Sequence, residues 1–283
     1  MKLSNSAEGT IEAEAVRRYF NKPSRGSAAA VSMMAHEHNL PIDAVLYRQR
    51  KEVQTISDWL DAIPMTGRVL DLGCGAGGWL TVFAKRYSFV VGMEQSSMMA
   101  ETARERMHAF TNIEIIEGDV RAELPDGPFD LIFLGGLCMY LNDSATRTLL
   151  RSLPNHLTND GSIILRESTV SDGISIAQGE YQAVYRSPGV YQKLFLEAGF
   201  KTSEVRRNYG YNSMVTGEAI VDFRRRWMPF LPTESPFLGA LTWWGLRSTA
   251  PVSLWLMPRV FSLLGITWPK LQNHFFRLRP DRC

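Results

Sequence analysis

Apolar residues in this chain gather into short runs closed by turn-forming residues, and through the middle of the chain these runs alternate with stretches of helical spacing. Val69–Asp71, Phe89–Met93, Ile113–Ile116, Phe129–Leu134 and Ser162–Leu165 each read as a strand. Their apolar character is near-continuous, with little polar alternation, as strands covered on both faces require. Between the second and third runs, Ser97–His108 predicts a helix whose Met99, Ala103 and Met107 recur every four residues and face the sheet. Strands alternating with helices predict an α/β fold built on a mostly parallel sheet.

Both ends depart from this rhythm. Glu12–Phe20 predicts a helix ended near Pro23, followed by a Ser/Gly/Ala-rich stretch to Ala30. Ala44–Ile63 predicts a second helix, with Val53, Ile56, Leu60 and Ile63 on one side. Later, Tyr191–Phe200 reads as a helix terminated by Gly199, and Lys201–Asn208 as a sixth strand. Thr216–Phe223 fits either a seventh strand or a helix.

The first strand carries the most chemistry. It ends in Asp71 and runs into a turn with Gly73, Gly75 and Gly77, where a bare backbone can approach a ligand closely. A helix beginning after that turn would present unbonded N–H groups to the same ligand. Gly73, Gly75 and Gly78 also satisfy the dinucleotide spacing G-x-G-x-x-G, so the glycines alone leave a nicotinamide cofactor open. Asp71 tips the balance, because a carboxylate at the pocket mouth repels a pyrophosphate and suits a cofactor bearing an ammonium and a sulfonium. Glu94, closing the second strand, is placed to accept ribose hydroxyls. Asp119, after the third strand, suits an exocyclic adenine amine, with Val120 near the ring.

The ordered set DLGCGAG, VVGMEQS, EGDV and FDLIFLGG resembles the class I S-adenosylmethionine-dependent methyltransferases of small molecules, over roughly Arg50–Asn208. The resemblance implies a Rossmann-like sheet of seven strands with helices on both faces, and a cofactor lying across the carboxyl ends of the strands. Carried over by position, Asp71, Gly73, Cys74, Gly75 and Gly77 surround the methionine moiety, and Glu94 takes the ribose with Gln95 beside it. Asp119 and Val120 hold the adenine, while Leu134 and Gly135 pass near the sulfonium. S-adenosyl-L-homocysteine is then the product left in the site. N-terminal segments of such enzymes fold over the cofactor as a lid, which points to Tyr19, Phe20 and Tyr47.

On the acceptor side, Tyr140 stands where many relatives carry histidine, and Glu167, after the fifth strand, is the expected general base. Tyr185 and Arg186 are expected to close over the acceptor, with Arg186 addressing a phosphate or carboxylate. The expected reaction is methyl transfer to the oxygen or nitrogen of a small acceptor, a lipid- or sugar-linked one included. A nicotinamide-dependent oxidoreductase and a non-catalytic binder of S-adenosylmethionine are the alternatives.

Composition sets the remaining bounds. The 283 residues suffice for one such domain plus appendages, divided here as a lid (1–64), a cofactor domain (65–223) and an extension (224–283). Three scattered cysteines, Cys74, Cys138 and Cys283, imply no disulfide framework, and the chain shows neither HExxH nor CxxC, so no metal site is expected. The N-terminus lacks the apolar core of a signal peptide and no run of about 18 apolar residues appears, so a cytoplasmic protein is expected. Residues 224–283 hold nine Arg or Lys against two acids, a net +7 that leaves −5 on the rest of a chain totalling +2. Five of the seven tryptophans lie there as well. Cations interleaved with tryptophans fit peripheral contact with a membrane surface, or a cap packed on the same chain or a second subunit in a homodimer. Dispersed cations on an otherwise acidic chain argue against a nucleic-acid partner.

Overall fold

A computed structural model describes residues 3–6, 8–21, 38–265 and 269–280. The stretch Pro23–Ala30, Trp268 and Cys283 lie outside the described residues. The chain divides into two compact units: residues 1–30, 58–206 and 274–283 form the first, and residues 31–57 and 207–273 the second. Neither boundary matches 64/65 or 223/224, because both units are assembled from segments far apart in sequence.

The first unit is built on a sheet of ten strands: β1 (Leu3–Ser6), β2 (Arg68–Leu72), β3 (Phe89–Glu94), β4 (Ile113–Glu117), β5 (Phe129–Leu134), β6 (Leu157–Thr169), β7 (Ile174–Ala177), β8 (Ala183–Arg186), β9 (Ser203–Arg207) and β10 (Gln272–Leu278). Eight of them follow the order β1-β7-β8-β6-β5-β2-β3-β4, and β10 pairs with β6 and β9. Parallel ladders join β4, β3, β2, β5, β6 and β8 in turn, and β7 and β1 add antiparallel pairs at one edge. The α/β sheet is thus present with more strands than the seven implied by resemblance. Short β1, β7 and β8 carry no long apolar run to betray them, and the fifth strand extends well beyond Ser162–Leu165.

Burial on both faces explains the continuous apolar runs. Leu70, Leu72, Ile132, Leu134, Ile163 and Leu165 pack into one core with Leu149, Tyr191 and Phe195. Their neighbours on the opposite face meet an aromatic cluster in which Trp79 and Phe83 lie 4.7 and 5.2 Å from Phe133. The helices of this unit are α1 (Ala13–Phe20), α3 (Ser57–Asp61, whose first residue belongs to the second unit), α4 (Leu80–Ala84), α5 (Ser97–Met107), α6 (Asp143–Ser152) and α7 (Pro188–Ala198). Met99, Ala103 and Met107 of α5 are buried as their spacing requires. Gly199 ends α7 at φ 102°, a left-handed conformation open to glycine without strain.

In the second unit, α2 (Ile42–Thr55) packs with α8 (Asn212–Trp227), α9 (Pro236–Ser248), a π-helical turn at Pro251–Leu256 and α10 (Met257–Leu263). The predicted Ala44–Ile63 helix is therefore two helices, broken where Ile56 leaves helical geometry (φ −122°, ψ 20°). Thr216–Phe223 is resolved as helix, within α8. Leu40, Ala44, Tyr47, Met214, Val221, Trp243, Leu246 and Leu254 form the core. Two tryptophans of the C-terminal region point into it: Trp243 donates to Asp43 Oδ2 at 2.8 Å, and Trp255 to the Tyr47 hydroxyl at 3.3 Å. Tyr47, a candidate lid residue, is a core residue of this unit, edge-on to Trp243 at 5.4 Å.

The tightest approach in this core is α9 against the turn before α2. A Cβ on Gly239 would collide with the Asn39 carbonyl, where Asn39 itself holds a positive φ of 55°. Replacing a helical glycine by alanine normally gains up to about 1 kcal/mol. Here a fixed backbone oxygen stands in the way, so overpacking of about 1–3 kcal/mol should prevail. Gly239→Ala is expected to lower stability in urea denaturation; a stabilised variant would mean that the helix and turn separate freely.

Candidate active site

The glycine turn follows β2 at the carboxyl ends of the parallel strands. Gly73, Gly75 and Gly77 have φ of 70°, 55° and 80°, so each needs the left-handed freedom that glycine has. The Gly73 and Cys74 amides donate to the Met93 carbonyl at 2.8 and 3.1 Å, tying the turn to β3. A Cβ at Gly75 would meet nothing within 4 Å, so this turn faces open space. Cys74 is buried, and burial pushes its thiol well above the usual range, as suits a small packing residue. The following helix, α4, is a short one.

Two carboxyls flank the turn. Glu94 accepts from the Gly75 amide with Oε2 and from the Ser96 amide with Oε1, both at 2.9 Å, so it braces the loop from the end of β3. Asp71 is 2 % exposed, and burial, reinforced by the nearby Glu94 charge, pushes its carboxyl up to about 8. The charge expected to repel a pyrophosphate is therefore largely absent near neutrality in the protein alone. A cation brought against Asp71 would restore it, because an opposite charge favours the ionised form.

Farther along the strand ends, Gln95 donates to Asp119 Oδ2 at 3.4 Å. Asp119 is gripped by the Arg121 guanidinium, through Nη2 at 2.6 Å and Nε at 2.9 and 3.0 Å. Arg121, helped by the charge of Arg17 on α1, holds this carboxyl below the usual carboxylate range. Val120 is half-buried against the main core.

On the other side of β2, β5 ends at Leu134, which is buried in the core, and Gly135-Gly136 opens a loop with a single helical turn at Cys138–Tyr140. A Cβ on Gly73 would lie 3.0 Å from the Leu137 side chain, so this loop sits directly against the glycine turn. Glu167 and Arg186 hold it in place. Glu167 accepts from the Cys138 amide at 2.9 Å, the Met139 amide at 3.2 Å and the Tyr191 hydroxyl at 3.3 Å. Arg186 donates to the Cys138 and Leu141 carbonyls, both at 2.7 Å, and to Asp143 at 2.7 Å through Nε.

Both side chains are fully buried, which corrects two expectations. Arg186 spends its guanidinium on the loop and Asp143, and does not address an acceptor anion. Glu167 is committed to two amides and a phenol beneath the loop, a positioning role in place of that of a base facing the acceptor. Burial pushes its carboxyl up to about 7 against the opposing pull of those bonds and of Arg186.

The groups brought together above this clamp are tyrosines. The hydroxyls of Tyr140 and Tyr181 lie 3.2 Å apart, and those of Tyr181 and Tyr185 3.1 Å apart. Helix α1 lies against them: Tyr19 is edge-on to Tyr181 at 5.1 Å and Phe20 to Tyr140 at 4.9 Å. The Phe20 carbonyl also accepts from Ser96 Oγ at 3.3 Å, so α1 reaches from the end of β3 to the tyrosine row. Tyr181 is the residue that reading the sequence passed over as a site. Its only signal is the spacing Tyr181–Tyr185, and the turn that aligns the two hydroxyls is tertiary.

Residues 69–161 match the methyltransferase domain family. The trans-aconitate 2-methyltransferase of Azoarcus sp. (strain BH72) is 34% identical over 113 residues, 38% of this chain and 43% of that protein. The enzyme of the same name from Rhizobium rhizogenes (strain K84 / ATCC BAA-868) is 25% identical over 186 residues, 59% and 71% of the two chains. The phosphoethanolamine N-methyltransferase of Triticum aestivum is 26% identical over 189 residues, 66% of this chain and 36% of that one. The chain thus spans less than half of the first of these relatives. Among solved structures, a DhpI complex with S-adenosylhomocysteine (SAH) superposes with a TM-score of 0.55 at 17% identity, over 69% of this chain and 91% of that one. The Haemonchus contortus phosphoethanolamine N-methyltransferase 2, solved with phosphomonomethylethanolamine and SAH, gives 0.62 at 14%, over 94% and 60%. At such identities these structures speak for the fold.

Residues 69–161 thus carry a methyltransferase domain, in a chain similar to S-adenosylmethionine-dependent methyltransferases, and solved neighbours of the same fold hold SAH. The residues of this chain fit such a cofactor: an open glycine turn, a buried carboxyl able to ionise against a cation, and Glu94 and Asp119 spaced along the strand ends.

Two outcomes follow from this geometry. Because Asp71 is protonated near pH 7 and a bound cation ionises it, cofactor binding should release protons and tighten as pH rises toward about 8. Calorimetry in two buffers of different ionisation enthalpy reads this directly, and equal heats would remove Asp71 as the cation's partner. Arg186→Leu leaves Glu167 and Asp143 without their cation, so stability should fall by about 3–5 kcal/mol in urea titrations.

Proposed function

We propose that this protein transfers the methyl group of S-adenosylmethionine to an oxygen or nitrogen of a small-molecule acceptor held by the tyrosine row Tyr140, Tyr181 and Tyr185. The carrying observation is the chain of three hydroxyls 3.1–3.2 Å apart, on a loop that touches the glycine turn. Two named relatives, which act on trans-aconitate and phosphoethanolamine, support a small polar acceptor.

The cofactor supplies a methyl already activated by its sulfonium. The protein then has mainly to align the acceptor, a contribution that can reach ~7–11 kcal/mol in well-oriented reactions. In this reading Asp71, Gly75, Glu94 and Asp119 hold the cofactor, and Leu134 and Gly135 lead the chain past its sulfonium end. Glu167 and Arg186 fix the loop that carries Tyr140, while α1 covers the row and keeps water out. Burial and the neighbouring phenols raise Tyr181 well above its ordinary value, so it stays a neutral hydroxyl that donates or accepts a hydrogen bond.

With methyl-labelled S-adenosylmethionine and fractionated acceptor extracts, label should appear in a small-molecule fraction. Tyr181→Phe should slow transfer about tenfold, the weight of one well-placed hydrogen bond, while SAH affinity is retained. SAH binding without transfer to any fraction would favour a non-catalytic binder.

A further inference from the structure

The second unit exposes apolar surface that its own fold does not use. Of eighteen large hydrophobic side chains exposed among the described residues, sixteen belong to this unit, which holds a third of the chain. Single exposed hydrophobics are ordinary on any surface. These are ordered along helices. On α8, Ile220, Phe223 and Trp227 stand at i, i+3 and i+7, opposite the buried Met214, Gly217 and Val221. On α9, Phe237, Leu241 and Trp244 stand at i, i+4 and i+7 with 75%, 51% and 68% exposure, opposite Trp243 and Leu246. Along the π-helical turn and α10, Val252, Leu256, Val260 and Leu263 make a third stripe. Each helix therefore has two apolar sides, one spent on the core and one turned to water, and exposed patches of that kind mark interaction sites.

The surrounding charge selects the occupant. Arg226, Arg247, Arg259 and Lys270 are exposed, whereas from residue 224 to 270 the only acid is Glu234. Among the described residues, no ion pair engages Arg226, Arg247 or Arg259, while Arg247 lies over the Tyr47 ring at 4.6 Å and Arg259 over the Tyr209 ring at 4.0 Å. Arg226 lies over the ring of the exposed Trp227 at 5.6 Å, a cation and an indole presented together. A second copy meeting this surface about a two-fold axis would set cations against cations. An anionic bilayer meets them with phosphate, while its acyl boundary receives the rings and leucines. No helix among the described residues is long and apolar enough to cross a membrane, so contact would be lateral.

We infer that the second unit docks peripherally on anionic membrane through the exposed stripes of α8, α9 and α10. Docking itself does not depend on the proposed activity.

The test is co-sedimentation of the full chain with equimolar phosphatidylcholine–phosphatidylglycerol vesicles, and with phosphatidylcholine alone. Binding is expected to the anionic vesicles, weakening with added salt. Phe237→Ser with Trp244→Ser and Leu263→Ser should weaken it about tenfold or more, because bound area sets the affinity. Since these side chains are exposed, the melting temperature and SAH binding should stay as in the parent. Arg226→Glu should lower the preference for anionic lipid. Failure of the parent to bind, or unchanged binding by the triple variant, would overturn the inference. So would a dimer in light scattering that the triple variant dissolves, since the surface would then be a self-interface. Normal docking without methyl transfer would count against the proposed activity alone.

Discussion

The loop beside the glycine turn depends on two buried side chains, one acidic and one basic. Glu167 of β6 takes its amides and Arg186 of β8 takes its carbonyls. A buried backbone segment outside regular structure must still pair its polar groups. Here two side chains do what a ladder or a longer helix would do elsewhere. Removing either charge from water costs several kcal/mol, and only a fully bonded arrangement offsets that cost. Asp143 completes it by bonding both Arg186 and the Gly9 amide, which fastens the approach to α1 to the same clamp. The position of Tyr140, and hence the tyrosine row, follows from these bonds.

The glycine turn is held by different means. Positive φ at three glycines, amide bonds to Met93 and the brace from Glu94 give it a fixed shape. Asp71 sits behind it with its proton retained by burial. Discrimination between cofactors then rests less on standing repulsion than on ionisation. A cation gains a carboxylate as it arrives, whereas a pyrophosphate meets a neutral acid and gains nothing from it.

The second unit shows how one segment can serve two environments. Trp243 and Trp255 anchor its core through Asp43 and Tyr47, while Trp227 and Trp244 face outward. A tryptophan suits either setting, since its ring is apolar and its N–H needs only one partner. Enrichment in tryptophan and arginine over residues 224–283 therefore mixed two signals, one for packing and one for surface.

What the linear chain settled by itself was the α/β sheet and its cofactor turn. Strands buried on both faces leave continuous apolar runs, and a turn of left-handed residues leaves glycines; both are local demands that the sequence records residue by residue. Glu167 and Arg186 were legible as important yet not as partners, because their role lies in bonds to backbone nearly thirty and fifty residues away. The same distance hid Tyr181, the short edge strands and the assembly of residues 31–57 with 207–273. Only the folded chain decides which polar groups lose water together, and that loss determines whether a buried charge serves chemistry or holds the loop that does.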